Sequence, residues 1–515
     1  MSERALSGNR HLSRQGLTAQ VLDVMALTDD PLWQPKDLGK PLPDDPHACS
    51  VAMPTWDSVI GYEEGHQKIL KKLRCGYPRF LINDFVDRLF SSATQACAEE
   101  GETALVFPRR TIAQRAQRFV ELQSRAASRI ASYEDLHALV IEDSLKKVAL
   151  EYWRYTGEVT SSRLAEDTLA GNVQPADPHL IYELSQILAG YAGAEASDVF
   201  LFESGMAGIF SAHRAITQLF PGKKTLQMEF PYVDAMRVQQ NFGSGVVYLN
   251  TSAGEDFDEA LQRIRRGEFS AVFCEIASNP LLRCIDLPEV ASACRAGGVI
   301  LIVDDTVSSN YNVDALAHAD IVTTSLTKWT SGRGDVMAGQ VTLNRNSPAY
   351  SDLHSLFSEF TATQRLYTGD AAILLRNVKT FHPRISQVNR NGEALYEFLK
   401  NRPDIDQVWY PKEDTVYRYE SVKTPHGGYG GLISFQIKGA EKRAQTFYDA
   451  LEVCKGPGLG TEFTLVCPYT LLAHYDDLEW AADCGVPRNL IRVSCGTEET
   501  ELLVSRFEKA FDVLS

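Results

Sequence analysis

The sequence predicts an α/β protein in three parts. These are a mostly helical N-terminal extension over residues 1–150, a large domain with a mainly parallel sheet over 151–380, and a smaller α+β domain over 381–515. Three observations carry this. A chain of 515 residues exceeds what one hydrophobic core organises. From about Asp177, short β-branched and aromatic runs alternate with helix-period stretches, the pattern of a parallel sheet covered on both faces. After about Phe381 the order becomes helix first and strands later, which marks a separate unit.

The extension has a polar start, a Pro/Asp-rich stretch over 41–46 and a helical-looking piece over 85–99. Its segment 109–129 is rich in Arg and Gln with apolar residues at helical spacing, so it reads as a solvated amphipathic helix. In the large domain the candidate strands are 199–202, 246–249, 271–274, 299–303 and 321–324, short enough to be buried on both faces. Met206, Ile209, Phe210, His213, Ile216 and Phe220 make a helical face between the first two, and His213 reads as a packed side chain, not a ligand. The last domain offers strands at 432–437 and 490–493 and a closing helix at 500–514.

Composition narrows the function. Hydrophobic residues at 44% and charged residues at 23% describe an ordinary globular protein. The formal charge of -16, from 67 acidic and 51 basic residues, argues against a nucleic-acid or anionic-membrane partner and for small-molecule chemistry. No apolar run approaches the roughly 20 residues that span a bilayer. The segment Met1 to Gln20 lacks a signal-peptide core, so the expected compartment is the cytoplasm. The ten cysteines show no C-x-x-C pair or zinc spacing, and no metal site is expected. Cys294 and Cys495 lie beside functional stretches, but no neighbouring base would activate them.

The chemistry concentrates after the strands. Ser325-Leu326-Thr327-Lys328 follows a strand and precedes the Gly-rich run 331–335, which puts an amine where open α/β sheets bind ligands. Alone, this four-residue motif is a weak signal and better describes a solvated surface lysine. The preceding strand ends in Asp304-Asp305-Thr306 and delivers a carboxylate to the same edge. Such a carboxylate can keep the pyridine nitrogen of pyridoxal 5'-phosphate (PLP) protonated while Lys328 holds its aldehyde as an imine. Asp304 is the choice for that partner, while either acid could instead cap the next turn. Ser204, Gly205 and Met206 open a long helix at the sheet edge, a natural phosphate site that Ser325 and Thr327 hydroxyls would complete. The competing reading of Gly205 is a tight turn.

Phe202-Glu203-Ser204-Gly205-Met206-Ala207, the stretch 275–280, Val303 to Thr306 and the stretch 325–339 together resemble the Cys/Met-metabolism PLP enzymes of fold type I. Within them the chain is most similar to the longer, fungal-type cystathionine γ-synthases, over about residues 150–515. The resemblance implies a PLP-binding large domain whose segment 151–195 is an interface arm, and a homodimer at minimum, usually paired into a homotetramer. It extends the site. Tyr232 would stack on the cofactor ring and assist proton transfer, although Val233-Asp234 replaces the usual Gly-Gly. Asn279 would lie near the cofactor's phenolic oxygen. Arg492 would clamp the substrate carboxylate through two parallel hydrogen bonds, and Gly458, where relatives often carry serine, would face it. Ser161-Ser162-Arg163 resembles the Tyr-x-Arg element that reaches a neighbour's phosphate, with serine in place of tyrosine. Glu462 leans toward γ over β chemistry, and Arg237 would reach the distal end of the substrate.

The implied reaction is γ-replacement on an O-acyl-L-homoserine, acetyl or succinyl, with L-cysteine attacking a vinylglycine-type intermediate and freed Lys328 moving the protons. Three alternatives stand beside it: another nucleophile, such as sulfide or a β-keto-acid carbanion; a γ- or β-lyase; and a non-catalytic regulatory protein on the same fold.

Overall fold

A computed structural model describes residues 27–514, so the segment Met1 to Gln20 lies outside it. A short ladder pairs β1 (Pro41–Leu42) with β2 (Ser50–Val51). Next come β3 (Glu102–Phe107), β4 (Arg129–Tyr133) and β5 (Leu136–Glu142), an antiparallel sheet in the order β3-β5-β4. Helices expected in this region are present. One spans Asp84–Cys97, where the Asn83 side chain accepts from the Phe85 amide at 2.9 Å and Val86, Leu89, Phe90 and Ala93 form the buried face. Another spans Arg110–Ser124 and buries Ile112, Ala113, Ala116, Phe119 and Val120. The sheet they pack on was not anticipated. β3 is buried along nearly its whole length, and a short continuous apolar run does not distinguish strand from helix.

The large sheet contains β6 (Val199–Phe202), β7 (Thr225–Met228), β8 (Val246–Leu249), β9 (Ala271–Glu275), β10 (Ile300–Asp304), β11 (Ile321–Ser325) and β12 (Gly339–Leu343). Their order is β6-β12-β11-β10-β9-β7-β8. The sheet is parallel from β11 to β8, while β12 runs antiparallel to both its neighbours. β7 and β12 go beyond the expected strands. β7 reads Thr-Leu-Gln-Met, half polar, and β12 opens on glycine directly after a loop with no crossover helix to announce it. His213 is packed inside, 2% exposed, and burial lowers its pKa to about 4.

The third unit contains β13 (Ile405–Trp409), β14 (Leu432–Ile437), β15 (Cys454–Lys455), β16 (Leu465–Pro468) and β17 (Ile491–Ser494), in the order β13-β14-β17-β16-β15. The helices Phe381–Lys400 and Thr500–Asp512 cover it. Val51, Met53, Trp56 and Val59 belong to this core, not to the core around β3. The Tyr448 hydroxyl donates to Met53 O at 2.9 Å, and buried Lys455 Nζ donates to Pro54 O at 3.2 Å. The N-terminal part therefore divides: its first stretch is built into the C-terminal unit, and its second has a core of its own.

A buried ionic cluster ties that second core to the large sheet. Glu158 is fully buried and takes hydrogen bonds from Arg115, through Nε at 3.0 Å and through Nη2, and from the Tyr152 hydroxyl. Arg214, on the helix Gly205–Leu219, lies 3.6 Å from the same carboxylate. Removing one member of such a cluster strands the others in a low dielectric. Glu158→Ala is expected to lower unfolding free energy by about 3–5 kcal/mol in denaturant titrations, with Glu158→Gln losing less; a loss under about 1 kcal/mol would contradict this assignment.

Candidate active site

The site forms where strand ends meet. Asp304, the last residue of β10, stands opposite Glu275 on β9 and Thr323 on β11. β11 ends at Ser325, opposite Gly339 of β12, which is in turn opposite Phe202 of β6. The chain after Phe202 enters the helix Gly205–Leu219, whose Ser204 cap accepts from the Ala207 amide at 3.0 Å. Helix and β11 approach so closely that a Cβ on Gly205 would lie 2.7 Å from Ser325 Cβ. Only glycine fits there.

These ends line one cleft, enclosing about 960 Å³ of empty space including its mouth, that brings together Lys328, Asp304, Gly205, Met206, Ser325, Tyr232, Asn279, Gly458 and Arg492. Lys328 Nζ lies 4.3 Å from the centre of the Tyr77 ring. Burial lowers its pKa to about 8; the Cys49 thiol opposes this and the Arg492 charge adds to it. A useful fraction of the amine is therefore neutral, and nucleophilic, at ordinary pH. Asp304 accepts from the Thr306 amide at 2.8 Å. Burial raises its pKa, Thr306 opposes the rise, and neighbouring Glu275 is raised by burial and by Asp304. Paired buried carboxylates of this kind favour a cation between or beside them.

Arg492 is 6% exposed, donates to Asn279 Oδ1 at 3.0 Å and Gly458 O at 2.6 Å, and lies over the Tyr469 ring at 4.8 Å. Gly458 holds φ +119°, a conformation side chains rarely adopt and glycine takes without strain. The Tyr232 hydroxyl donates to Asp234 Oδ2 at 3.3 Å.

Five expected site residues do not line the cleft. The Ser204 hydroxyl is used as the helix cap and donates to Gly157 O at 2.8 Å. The Thr327 hydroxyl exchanges hydrogen bonds with Ala338, accepting from its amide at 3.1 Å. Arg163 pairs with Asp370 at 3.2 Å in a separate small pocket. Glu462 is held between Arg333 and Arg384, each 3.1 Å away. Arg237 points outward to Gln240 and Asp477. In these five the polar atoms already have protein partners.

Other residues line the cleft without having been anticipated: Tyr77, Arg79, Phe80, Glu275, Thr306 and Tyr469. Tyr77-Pro78-Arg79 is a literal Tyr-x-Arg triplet, the signal that would have found it. The stretch Ser161-Ser162-Arg163, expected to reach a neighbour's phosphate, lines the separate small pocket, while Tyr77 and Arg79 line the cleft.

Residues 184–512 match the model of the Cys/Met metabolism PLP-dependent enzymes, and residues 85–161 match the N-terminal domain of fungal trans-sulfuration enzymes. The chain belongs to the Cys/Met metabolism PLP-dependent enzyme family. It is 32% identical to a cystathionine γ-synthase of Neurospora crassa, over 93% of this chain and 98% of that protein. It is 30% identical to the cystathionine γ-synthase-like enzyme iboG2 of Amanita muscaria, over 92% and 96%. Among solved structures it is similar to metB of Corynebacterium glutamicum, with TM-score 0.57 and 27% identity over 64% of this chain and 84% of that one.

As a member of this family the protein is a PLP-dependent enzyme, and the cleft fits that cofactor on its own terms. Ser325 Oγ is buried without a hydrogen bond of ordinary geometry, near the Tyr77 hydroxyl and against Gly205 at the first turn of the helix Gly205–Leu219, where helix-end amides and a hydroxyl can together take a phosphate. An amine and a carboxylate, Lys328 and Asp304, line the same cleft. If Lys328 is the amine that captures the cofactor, the rate of cofactor uptake by apoenzyme should climb with pH as the neutral amine accumulates and level off above about pH 8. Stopped-flow absorbance would measure it; a rate independent of pH between 6 and 9, on the order of three decades of proton concentration, would contradict the assignment.

Proposed function

We propose that this enzyme catalyses γ-replacement on an O-acyl-L-homoserine, with L-cysteine as nucleophile and cystathionine as product. The observation that carries the reading is the pairing, in one cleft, of the Lys328 amine with a buried arginine whose partners are neutral oxygens. That arginine can take a carboxylate without first releasing one.

Arg492 binds the α-carboxylate of the amino-acid substrate by two parallel hydrogen bonds, with Asn279 fixing the guanidinium. When bound, PLP supplies an aldehyde that amines can capture and an electron sink for charge at the substrate's α and β carbons. The Gly205 and Met206 amides and Ser325 Oγ would hold its phosphate, Asp304 would pair with its ring nitrogen and Tyr232 would stack on its ring. Lys328, once free, takes the α proton and returns protons along the carbon chain, a task its lowered basicity suits. The Cγ–O bond of the donor breaks and a C–S bond forms; the acyl group leaves as a carboxylate, and the thiol proton passes to solvent.

One observation favours a second reading, the same electrophile with sulfide or a β-keto-acid carbanion as nucleophile: Val233 lines the cleft, and Asp234 follows it, in place of the Gly-Gly that the family resemblance implies. Ten free cysteines, none disulfide-bonded, suit a reducing compartment such as the cytoplasm. A homodimer at minimum, paired into a homotetramer, is the proposed assembly.

Incubating holoenzyme with O-acetyl-L-homoserine, alone and with each nucleophile, and weighing the products decides the chemistry. Cystathionine is expected; 2-oxobutyrate and ammonia without an adduct would replace the synthase by a lyase. Arg492→Lys keeps the charge but loses the fork, and is expected to cut kcat/KM about 10- to 150-fold, mainly through KM. An unchanged KM would remove Arg492 from substrate binding.

A further inference from the structure

The cleft has two guanidinium groups on its wall, Arg492 and Arg79, and their partners differ in charge. Arg492 contacts uncharged oxygens. Arg79 is committed to a carboxylate: its Nη1 lies 2.7 Å from Asp234 Oδ1, with side chains 5% and 1% exposed, and its Nη2 donates to Ala473 O at 2.9 Å. The same Asp234 accepts from the Tyr232 hydroxyl through its other oxygen, and Arg79 sits over the Tyr232 ring at 5.6 Å. Arg154 approaches Asp234 from the solvent side at 3.6 Å. One buried carboxylate thus fixes an arginine and a tyrosine of the cleft wall.

A buried guanidinium without a carboxylate would draw in any anion that reached it. Paired as it is, Arg79 can accept a substrate carboxylate only by giving up a buried ion pair and leaving Asp234 to the more distant Arg154 and the Tyr232 hydroxyl, which is unfavourable. The wall around the pair is apolar, with Phe80, Ile209, Val233, Leu472 and Ala473. Asp234 thus offsets the charge of Arg79 inside the wall, with half-exposed Arg154 on its solvent side.

We propose that Asp234 is a specificity-determining residue: by neutralising Arg79 it sets the side-chain end of the cleft for an uncharged acyl group, acetyl, and against a second carboxylate or a phosphate on the donor. The assignment rests on the γ-replacement reading for the identity of the donor, but its physical content is a charge preference that binding alone can measure. Asp234→Asn would leave Arg79 buried and unpaired, turning the same wall into an anion site.

The test uses the cofactor-loaded enzyme and two nearly isosteric amino acids, L-norleucine and L-2-aminoadipate, titrated by calorimetry. Wild type should bind L-norleucine at least about tenfold more tightly, the discrimination expected when one ligand must displace a buried ion pair. Asp234→Asn should shift that ratio by about tenfold or more toward L-2-aminoadipate, and Asp234→Asn with Arg79→Met should lose the gain. In turnover, wild type should prefer O-acetyl- to O-succinyl-L-homoserine, and Asp234→Asn should narrow the preference through KM for the succinyl donor. A wild-type enzyme that binds both amino acids equally overturns the proposal whether or not the variant folds. So does a folded Asp234→Asn enzyme that tightens cofactor binding but leaves the ratio unchanged. If the binding ratio moves as expected while neither donor yields product, the γ-replacement reading fails and the charge preference of Asp234 stands.

Discussion

The register between β9, β10 and β11 governs the chemistry of this protein. It sets Asp304 beside Glu275 and ends β11 at Ser325, from which a single turn, closed by the Lys328 amide on Ser325 O at 3.1 Å, carries Lys328 into the same cleft. Side chains alternate along a strand, so a slip of one residue would turn Asp304 into the opposite layer and bring forward Asp305, whose carboxylate accepts from Thr324 at 2.6 Å. The adjacent acids thus divide the work: one faces the cleft and the other locks two strands together. Burial of Lys328 and Asp304 is costly for both. Their pKa shifts in opposite senses, the amine down and the acid up, are the measure of that cost and the source of reactivity near neutral pH.

The cleft is completed by parts remote in sequence. The loop at Gly458 and the strand β17 bring Arg492 from the C-terminal unit, and the triplet Tyr77-Pro78-Arg79 comes from the N-terminal stretch that is itself packed into that unit. The roof is therefore a joint construction, held by contacts such as Arg79 on Ala473 O and the Tyr62 hydroxyl on Phe80 O at 2.6 Å. The roles proposed for Arg492, and for Asp234 with Arg79, depend on this packing as much as on the sheet that carries Lys328.

How much of this is legible in the amino-acid sequence follows from distance along the chain. Asp304, Ser325 and Lys328 sit in short motifs at strand ends that meet in one cleft, and Gly205 and Met206 open a helix the periodicity announces. The large sheet was legible for the same reason except at β7, which is half polar, and at β12, which reverses direction without a crossover helix. Tyr77 and Arg79 were missed although they form a Tyr-x-Arg triplet, because that short local signal does not by itself tie the N-terminal region to a lysine about 250 residues away. Glu462 and Arg237 carry the right residue types at suggestive positions, yet Arg333 and Arg384 claim the first and Asp477 the second. Which charges meet is a tertiary fact. The three-stranded sheet at β3 to β5 was missed because its apolar runs are too short to separate strand from helix.

Lys328 is the residue proposed to hold PLP, and the rest of the chemistry depends on it. Reduction of the holoenzyme with borohydride, followed by peptide mass mapping, tests this directly. A pyridoxyl group fixed to Lys328, and to no other lysine, is the predicted result. A label on another side chain, or an enzyme that keeps its cofactor and yields no label, would contradict it.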